Sequence, residues 1–291
     1  MTRIRSPACG LVPKGPLMKR LAGWTLASPA TLLVVVFLVL PVAATIITTF
    51  LTPGGPFATY AAFFGSGFRR TVLLRTINVS LVVTAIALVI GFITAFVISR
   101  SPGWLKSILI IAAVFPLLTG VVVRSFAWLI ILGKNGILNT VLVNAGILDQ
   151  PLTMLYTQGS VIVAMVYLFV PLMILTLVGV LESIPDDLIQ ASNSLGAKPW
   201  ATFTQVIFPL AVPGLIVGAV LVFTGSFTSY ATPQLLGGEQ VMMMGTLMYQ
   251  QAMVTFDWVA ASTIAAVMVV ITIAIVALMN SVAKRLNPMT V

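Results

Sequence analysis

The chain of 291 residues contains no histidine, one cysteine and only six acidic residues. The single cysteine, Cys9, cannot form a disulfide within the chain, and the lack of histidine excludes Cys/His metal sites and Ser/His/Asp or Cys/His catalytic sets. Charged residues make up 7% of the chain, against about 25% in soluble domains. Hydrophobic residues make up 59%, and the mean hydropathy is +1.14. The composition therefore predicts an integral membrane protein.

A nucleotide-binding loop is also missing from the sequence. The pattern G-x-x-x-x-G-K-[ST] does not occur, because Gly133-Lys134 is followed by Asn135. The chain is therefore not expected to hydrolyse ATP by that route, and no cofactor is predicted. Five acids lie near the ends of apolar segments or between them, as solvated residues do: Glu182, Asp186, Asp187, Glu239 and Asp257. An enzymatic function is not expected.

Six apolar segments are long enough to cross a bilayer, since about 20 helical residues span roughly 30 Å of hydrocarbon. They comprise residues 26–50, 78–99, 107–132, 160–181, 210–230 and 258–282. The predicted fold class is all-α: a polytopic membrane protein with six transmembrane helices and a short coupling helix between the fourth and fifth. We divide the chain into a basic tail (1–25), one membrane domain (26–283) and a second tail (284–291).

Basic residues predict the orientation of these spans. Ten lie on the side of the two termini: Arg3, Arg5, Lys14, Lys19, Arg20, Arg100, Lys106, Lys198, Lys284 and Arg285. Four lie on the opposite side, namely Arg69, Arg70, Arg75 and Lys134. The positive-inside rule then places both termini and residues 184–210 in the cytoplasm. The cluster at 69–75 opposes this, and we expect it on a short amphipathic piece at the outer interface. Basic residues scattered at span ends indicate membrane orientation, so membrane lipid and no nucleic acid is expected as a partner.

The N-terminus has two interpretations. A basic stretch precedes an apolar run that ends near Pro41-Val42-Ala43-Ala44, which suggests a cleaved signal peptide. The run is too long for a typical signal sequence, and an uncleaved first span is favoured. Met18 is a second candidate for the true start of the protein.

Residues 184–210 form the longest polar interruption between two apolar segments. Ser183 is predicted to cap a helix that has Pro185 and two aspartates, Asp186 and Asp187, in its first turn. Gly196 suits the left-handed position that ends the helix. One face carries the small or apolar residues Leu188, Ala191, Ser192 and Leu195. A second helix is predicted from about residue 200 to Pro209. Because the first turn is acidic rather than basic, a protein partner is favoured over lipid headgroups.

This segment resembles a known family. Gln190-Ala191-Ser192, Gly196 and Val206-Ile207-Phe208-Pro209 fall at the spacing of the E-A-A, G and I-x-L-P elements of the inner-membrane permease subunits of binding-protein-dependent ABC importers. The sequence departs from that pattern at Gln190, Ser192, Val206 and Phe208. The resemblance implies that the coupling contact with an ATPase subunit is made by Asp187, Gln190, Ala191, Ser192, Gly196 and Pro209. It also implies a second permease subunit, cytoplasmic ATP-binding subunits, an extracytoplasmic solute-binding protein and location in the bacterial inner membrane.

Further motifs resemble the polyamine (spermidine/putrescine) branch of that family. They are Phe115-Pro116 with Arg124 and Trp128, then Gly136-Ile137-Leu138-Asn139, and finally the run from Thr232 to Gly238. The same pattern also resembles permeases for ferric iron, sulfate, phosphonate or opines, so these substrates stay open. The rival of another class is an ATP-independent secondary transporter or channel subunit, which predicts more ionisable residues at the bilayer midplane.

Five residues in the predicted spans are candidates for a solute pathway: Arg124, Trp128, Ser226, Ser229 and Tyr230. Aromatic faces can bind amines, although small polar residues and aromatics also serve helix packing and interfacial anchoring. Arg124 has two interpretations, because an arginine within a span either faces the pathway or reaches an interface where the helix is broken. Pro116 and Gly120 can produce such a break. The segment 240–256, rich in methionine, is predicted to lie at the outer surface under the binding protein, with methionine as adaptable filler.

Overall fold

The computed structural model describes residues 28–29, 31–52, 55 and 57–286, and the ordered elements within these ranges are helices. Met18 and the basic residues of the first tail lie outside the described residues, whereas residues 41–44, where the alternative signal peptide would end, lie inside the first described long helix. Twelve helices are assigned within the described ranges: α1 (Thr31–Phe50), α2 (Ala58–Gly65), α3 (Gly67–Arg100), α4 (Gly103–Leu118), α5 (Val121–Leu132), α6 (Ile137–Asn144), α7 (Gln158–Glu182), α8 (Asp186–Ser194), α9 (Pro199–Phe227), α10 (Ala231–Leu236), α11 (Met244–Tyr249) and α12 (Trp258–Leu286).

Six stretches of the described chain are long and apolar enough to cross a membrane. They are Thr31–Phe50, Gly67–Arg100, Val121–Asn144, Gln158–Glu182, Pro199–Phe227 and Trp258–Ser281. The all-α fold with six spans is therefore confirmed. Short π-helical turns occur within α1 at Val35–Val39 and within α9 at Phe203–Ile207, and a third, Gln250–Val254, directly follows α11.

The third predicted span, 107–132, is two helices rather than one. Thr119 and Gly120 adopt extended conformations between α4 and α5. The Thr119 hydroxyl donates to the Pro116 carbonyl at 2.8 Å and so closes the last turn of α4. Since α4 has 16 residues, or about 24 Å of helix, the third long stretch is made by α5 and α6 instead. The break falls where Pro116 and Gly120 indicated it.

The second span begins earlier than predicted. Helix α3 starts at Gly67 rather than near residue 78, and the Ser66 side chain accepts the Arg69 N–H at its first turn. Arg69, Arg70 and Arg75 therefore belong to this helix and not to a separate amphipathic piece. With 34 residues, α3 is about 51 Å long and extends beyond the roughly 30 Å of hydrocarbon, so its basic first turns need not lie in lipid.

Two sets of polar contacts mark opposite ends of the helix bundle. At one end, called here the loop end, Arg100 pairs with Asp186 and Lys106 with Glu182. At the far end, the Arg75 guanidinium donates to the Gln240 carbonyl at 3.0 Å. Further far-end contacts join Tyr156 N–H to the Leu236 carbonyl and Met244 N–H to the Thr76 hydroxyl, both at 2.9 Å.

The centre of the bundle is formed by α3, α7 and α9, which approach one another around a buried methionine. A Cβ atom placed on Gly91 of α3 would lie 2.4 Å from Met173 Cγ, and one on Gly218 of α9 would lie 2.4 Å from Met173 Sδ. Glycine at both positions lets one unbranched side chain fill the space between three helices.

This packing predicts that the same substitution has different effects on stability at a buried glycine, Gly91, and at an exposed glycine, Gly179. Gly91→Val should lower the free energy of unfolding by about 1–3 kcal/mol, because the new side chain overlaps the Cβ and Cγ atoms near the rigid base of Met173. Gly179→Val in α7 is the matched control, since a Cβ there meets nothing within 4 Å. Thermal unfolding of the purified protein in detergent measures both, and equal stability of the two variants would contradict the packing argument.

Candidate functional site: the coupling loop and a far-end cavity

The segment 184–210, called here the coupling loop, starts with a short helix after a proline corner. Helix α8 begins at Asp186 with Pro185 as its N-terminal neighbour, and Asp186 and Asp187 lie in its first turn as predicted. The predicted cap by Ser183 is wrong. Its hydroxyl instead donates to the Val180 carbonyl at 2.7 Å, because Ser183 follows the last residue of α7 and closes that helix.

Gly196 ends α8 in the way that the sequence predicts. Its φ is +77°, and the Ala197 N–H donates to the Ser192 carbonyl at 3.2 Å across it. This is the left-handed helix end that favours glycine. A Cβ on Gly196 would meet nothing within 4 Å, so the backbone conformation alone requires glycine at this position.

The second half of the loop is not a separate helix that ends at Pro209. Helix α9 runs without interruption from Pro199 to Phe227, and Pro209 lies inside it, half-buried. A proline ring inside a helix clashes with the carbonyl four residues earlier and removes a donor. The wider π turn Phe203–Ile207 comes just before it, with the Phe208 N–H bonded to the Phe203 carbonyl. The loop is thus continuous with a spanning helix.

The outward face of α8 carries small, polar and apolar side chains. Asp187, Gln190 and Ala191 are exposed, and Leu195 is 89% exposed. Ser192 departs from the predicted common face, because it is half-buried and its hydroxyl lies 2.9 Å from that of Thr202 in α9. The coupling residues predicted from the sequence therefore divide into an exposed set, which includes Gly196, and a half-buried pair, Ser192 and Pro209.

Aromatic residues attach the second half of the loop to α3. The Phe203 ring lies 5.6 Å from that of Phe96, and Trp200, which is 73% exposed, stacks on Phe203 at 5.5 Å. Together with the ion pair of Arg100 with Asp186, these contacts fix the loop to α3, a helix distant in sequence. Sequence reasoning missed them, because only the folded chain brings residues 96–106 next to the loop.

At the far end, two candidate pathway residues line a cavity of about 410 Å³. Ser229 and Tyr230 form one wall, and Tyr230 stacks on Tyr249 with ring centroids 4.3 Å apart. The other lining residues are Leu117, Val121, Leu168, Phe169, Leu172, Gly225 and Ala231. The cavity therefore lies beside the break between α4 and α5.

Ser226 does not reach this cavity. Its side chain is fully buried, and its hydroxyl has no hydrogen-bond partner among the described residues. It belongs to the contact of α9 with its neighbours, as expected of a small residue at a helix interface in a membrane.

Arg124 lies one turn into α5, close to Tyr167 of α7. Its residue surface is 9% exposed, and neither Nε nor Nη1 has a hydrogen-bond partner in the described chain. Trp128, one turn further, meets Tyr167 edge-to-face at 5.7 Å. The neighbouring Ser125 hydroxyl lies 3.1 Å from that of Thr232. Arg124 therefore occurs at the break, as one interpretation required, but it is buried rather than open to an interface.

The methionine-rich segment contributes core as well as surface. Met242, Met243 and Met244 are buried, which fits their expected role as filler. Beyond them, Met253 and Phe256 are more than half exposed, and Phe256 has a φ of +56°. This surface lies at the far end of the bundle.

An apolar groove of about 720 Å³ lies between α3, α9 and α12. Its walls include Phe92, Phe208 and Met279. The lining offers no charged side chain, so the groove suits hydrocarbon rather than a polar solute.

Comparison with known proteins agrees with this architecture. Residues 54–290 match the family described as binding-protein-dependent transport system inner membrane component. The spermidine/putrescine transport system permease protein PotB of Haemophilus influenzae is 34% identical over 187 residues, which cover 64% of this chain and 65% of that protein, just under two thirds of its length. PotB of Escherichia coli K12 is 29% identical over 231 residues, 77% of this chain and 84% of that protein.

A crystal structure of a bacterial alginate ABC transporter, in complex with an alginate pentasaccharide-bound periplasmic protein, contains a chain of the same fold. The TM-score is 0.78 over 92% of this chain and 96% of that chain, at 16% identity. The family match covers most of the sequence and the six spans agree with it. The chain is therefore a multi-pass membrane permease that belongs to the family of inner membrane components of binding-protein-dependent transport systems.

Proposed function

We propose that the chain forms the solute pathway of an ABC importer together with a second permease subunit, either a copy of itself or a different chain. The coupling loop receives motion from cytoplasmic ATP-binding subunits. The observation that carries this proposal is the exposed face of α8, which leaves Leu195 and Ala191 uncovered at a membrane protein's surface while the rest of the loop is anchored. Exposed apolar side chains of this kind favour a protein partner.

The orientation is part of the proposal: the loop end faces the cytoplasm and the far end faces outward. Arg100, Lys106 and Lys198 are at the loop end. The remaining basic residues counted for the cytoplasmic side are in the first tail, except Lys284 and Arg285, which are at the end of α12. ATP hydrolysis then belongs to separate subunits, because this sequence has no phosphate-binding loop of the usual pattern. The exposed far-end surface with Met253 and Phe256 receives the solute-binding protein.

Transport follows from rocking of helices about the loop. ATP-driven closure of the partner subunits displaces α8 as a rigid lever, and the attached helices α7 and α9 move with it. Residues Ser229 and Tyr230 follow directly after α9, so movement of this helix changes the far-end cavity that they line. Access to the pathway thereby alternates between the two sides.

The proposed substrate is a polyamine. Tyr230, stacked on Tyr249, and Trp128, packed on Tyr167, offer aromatic faces to an ammonium group. The relatives named for spermidine and putrescine support the same class.

Arg124 favours a second candidate, a solute with an acidic group such as sulfate, a phosphonate or an opine. Its guanidinium is buried without an acceptor on Nε or Nη1, and a buried cation of this kind attracts carboxylate, sulfate or phosphonate oxygens. A polyamine supplies only donors and positive charge, so it would not satisfy this group.

The loop can be tested at Gly196. Gly196→Val should lower solute uptake about tenfold, because a β-branched residue at φ +77° costs about 1–2 kcal/mol and displaces the end of α8. Gly146→Val is the matched control, since Gly146 has φ +70° and equally open space but lies in a far-end loop. Uptake by proteoliposomes that carry the complete transporter is the measurement. Equal uptake by the Gly196 variant and the unmodified protein would count against the coupling role.

Arg124 can be tested by separating stability from transport. Arg124→Met should raise the free energy of unfolding of the purified subunit by about 1–3 kcal/mol, because it removes a buried charge whose Nε and Nη1 have no acceptor. Uptake should fall if the guanidinium acts in the pathway. Arg75→Met should instead lower stability, since it leaves the carbonyls of Gln240 and Met242 without their donor. Loss of stability in both variants would assign Arg124 a structural role.

The substrate class can be tested at Tyr230. In the complete transporter, Tyr230→Leu should raise the KM for labelled spermidine about two- to fivefold through loss of the aromatic face, whereas Tyr230→Phe should retain the wild-type value. Competition by sulfate and by an aminoalkyl phosphonate is measured alongside. No uptake of spermidine together with uptake of either anion would favour the second candidate.

A further inference from the structure

Two proline corners meet at the loop end, and ion pairs cross between them. One corner, Ser101-Pro102, joins α3 to α4, and the other, 183–185, joins α7 to α8. Arg100, the last residue of α3, pairs with Asp186, the first residue of α8, at 3.3 Å. Lys106, in the opening turns of α4, pairs with Glu182, the last residue of α7, at 2.8 Å. Each ion pair therefore joins the α3–α4 corner to the corner between α7 and α8.

The charges of the second pair oppose the dipoles of their own helices. A cation near a helix N-terminus and an anion at a helix C-terminus are both unfavourable, yet Lys106 and Glu182 occupy those positions. Neither residue therefore stabilises its own helix end. The ion pair between them offsets the unfavourable interaction of each charge with its own helix dipole. This arrangement favours a role in joining the two helices.

The α3 helix also contacts the second half of the loop. The Arg100 guanidinium lies 5.8 Å from the centre of the Phe96 ring, and Phe96 meets Phe203 of α9. Helix α3 thus contacts α8 through an ion pair and α9 through aromatic rings. The loop cannot move far from α3 and α4 without breaking charged or aromatic contacts.

We propose that the crossed ion pairs are positioning contacts that make the α3–α4 corner move with the coupling loop. ATP-driven displacement then reaches α3 and α4 directly, in addition to α7 and α9. This inference rests on the proposed function and extends it, because it assigns Arg100, Lys106, Glu182 and Asp186 to the transmission of motion. Helix α4 ends at the break beside the far-end cavity, so the corner links the loop to that cavity by a second route.

The test uses charge reversal in the complete transporter, reconstituted in proteoliposomes with its ATP-binding subunits and binding protein. Lys106→Glu and Glu182→Lys are made singly and together, and solute imported per ATP hydrolysed is measured. Each single reversal should lower this ratio about two- to fivefold, the range that a partly exposed ion pair supports. The double reversal should restore it. Asp149→Lys, a reversal of an exposed acid outside the loop end, is the control and should leave the ratio unchanged.

Several outcomes decide the inference. Unchanged ratios in both single variants overturn it, and so does an equal loss in the single and double variants, which would reflect local shape and not pairing. If a reversed variant does not reach the membrane, Lys106→Gln and Glu182→Gln replace it, and a full ratio in the double neutral variant overturns the inference. Loss of coupling in Gly196→Val without any effect of the reversals would remove this inference alone, whereas no effect of Gly196→Val would remove the proposed function.

Discussion

The close approach of α3, α7 and α9 is the contact on which the rest of the structure depends. Gly91, Gly214 and Gly218 allow these helices to touch, with Met173 and Val180 of α7 filling the space that a Cβ would occupy. In a bilayer the hydrophobic effect does not drive helices together, so van der Waals contacts between closely packed helices have to stabilise their association. Because α7 and α9 flank the coupling loop, this packing also fixes the loop to the centre of the bundle.

The bilayer also constrains the charged groups of the chain, because a charge without a partner is costly in hydrocarbon. At the loop end, Arg100 pairs with Asp186 and Lys106 with Glu182, and Arg75 at the far end donates to two carbonyl acceptors. Arg124 is the exception: it is the one buried charged residue among those described, and its Nε and Nη1 have no hydrogen-bond partner there. It lies one turn into α5, just after the break between α4 and α5.

The sequence predicts this fold well where local chemistry decides the outcome. Apolar length gives the six spans, and Gly196 ends α8 because other residues adopt its conformation only with strain. Prediction of helix boundaries fails where helix length or local helix geometry decides the outcome. Arg69 and Arg70 indicate the end of a span, yet α3 includes them because it extends beyond the hydrocarbon. Pro209 indicates a helix boundary, yet a π turn accommodates it inside α9.

The candidate site shows the same division. The exposed residues of α8 are indicated by the resemblance of this segment to a known family, whereas the partners of Ser192, Arg100 and Lys106 are found only in the folded chain. No pattern in a single sequence pairs residue 106 with residue 182, because the contact depends on two proline corners meeting in space.

Helix α9 connects the coupling loop to the far-end cavity, but its sequence does not favour a straight, rigid helix over its whole length. The π turn and two prolines, Pro209 and Pro213, lie in its first half, and such features permit bending. Beyond them, Gly214 and Gly218 hold the helix against α7. A displacement of the loop would therefore reach the far-end cavity through the packed unit of α3, α7 and α9 more than along the axis of α9 itself. For the proposed coupling, contacts that join the loop to α3 are for this reason as relevant as the continuity of the chain.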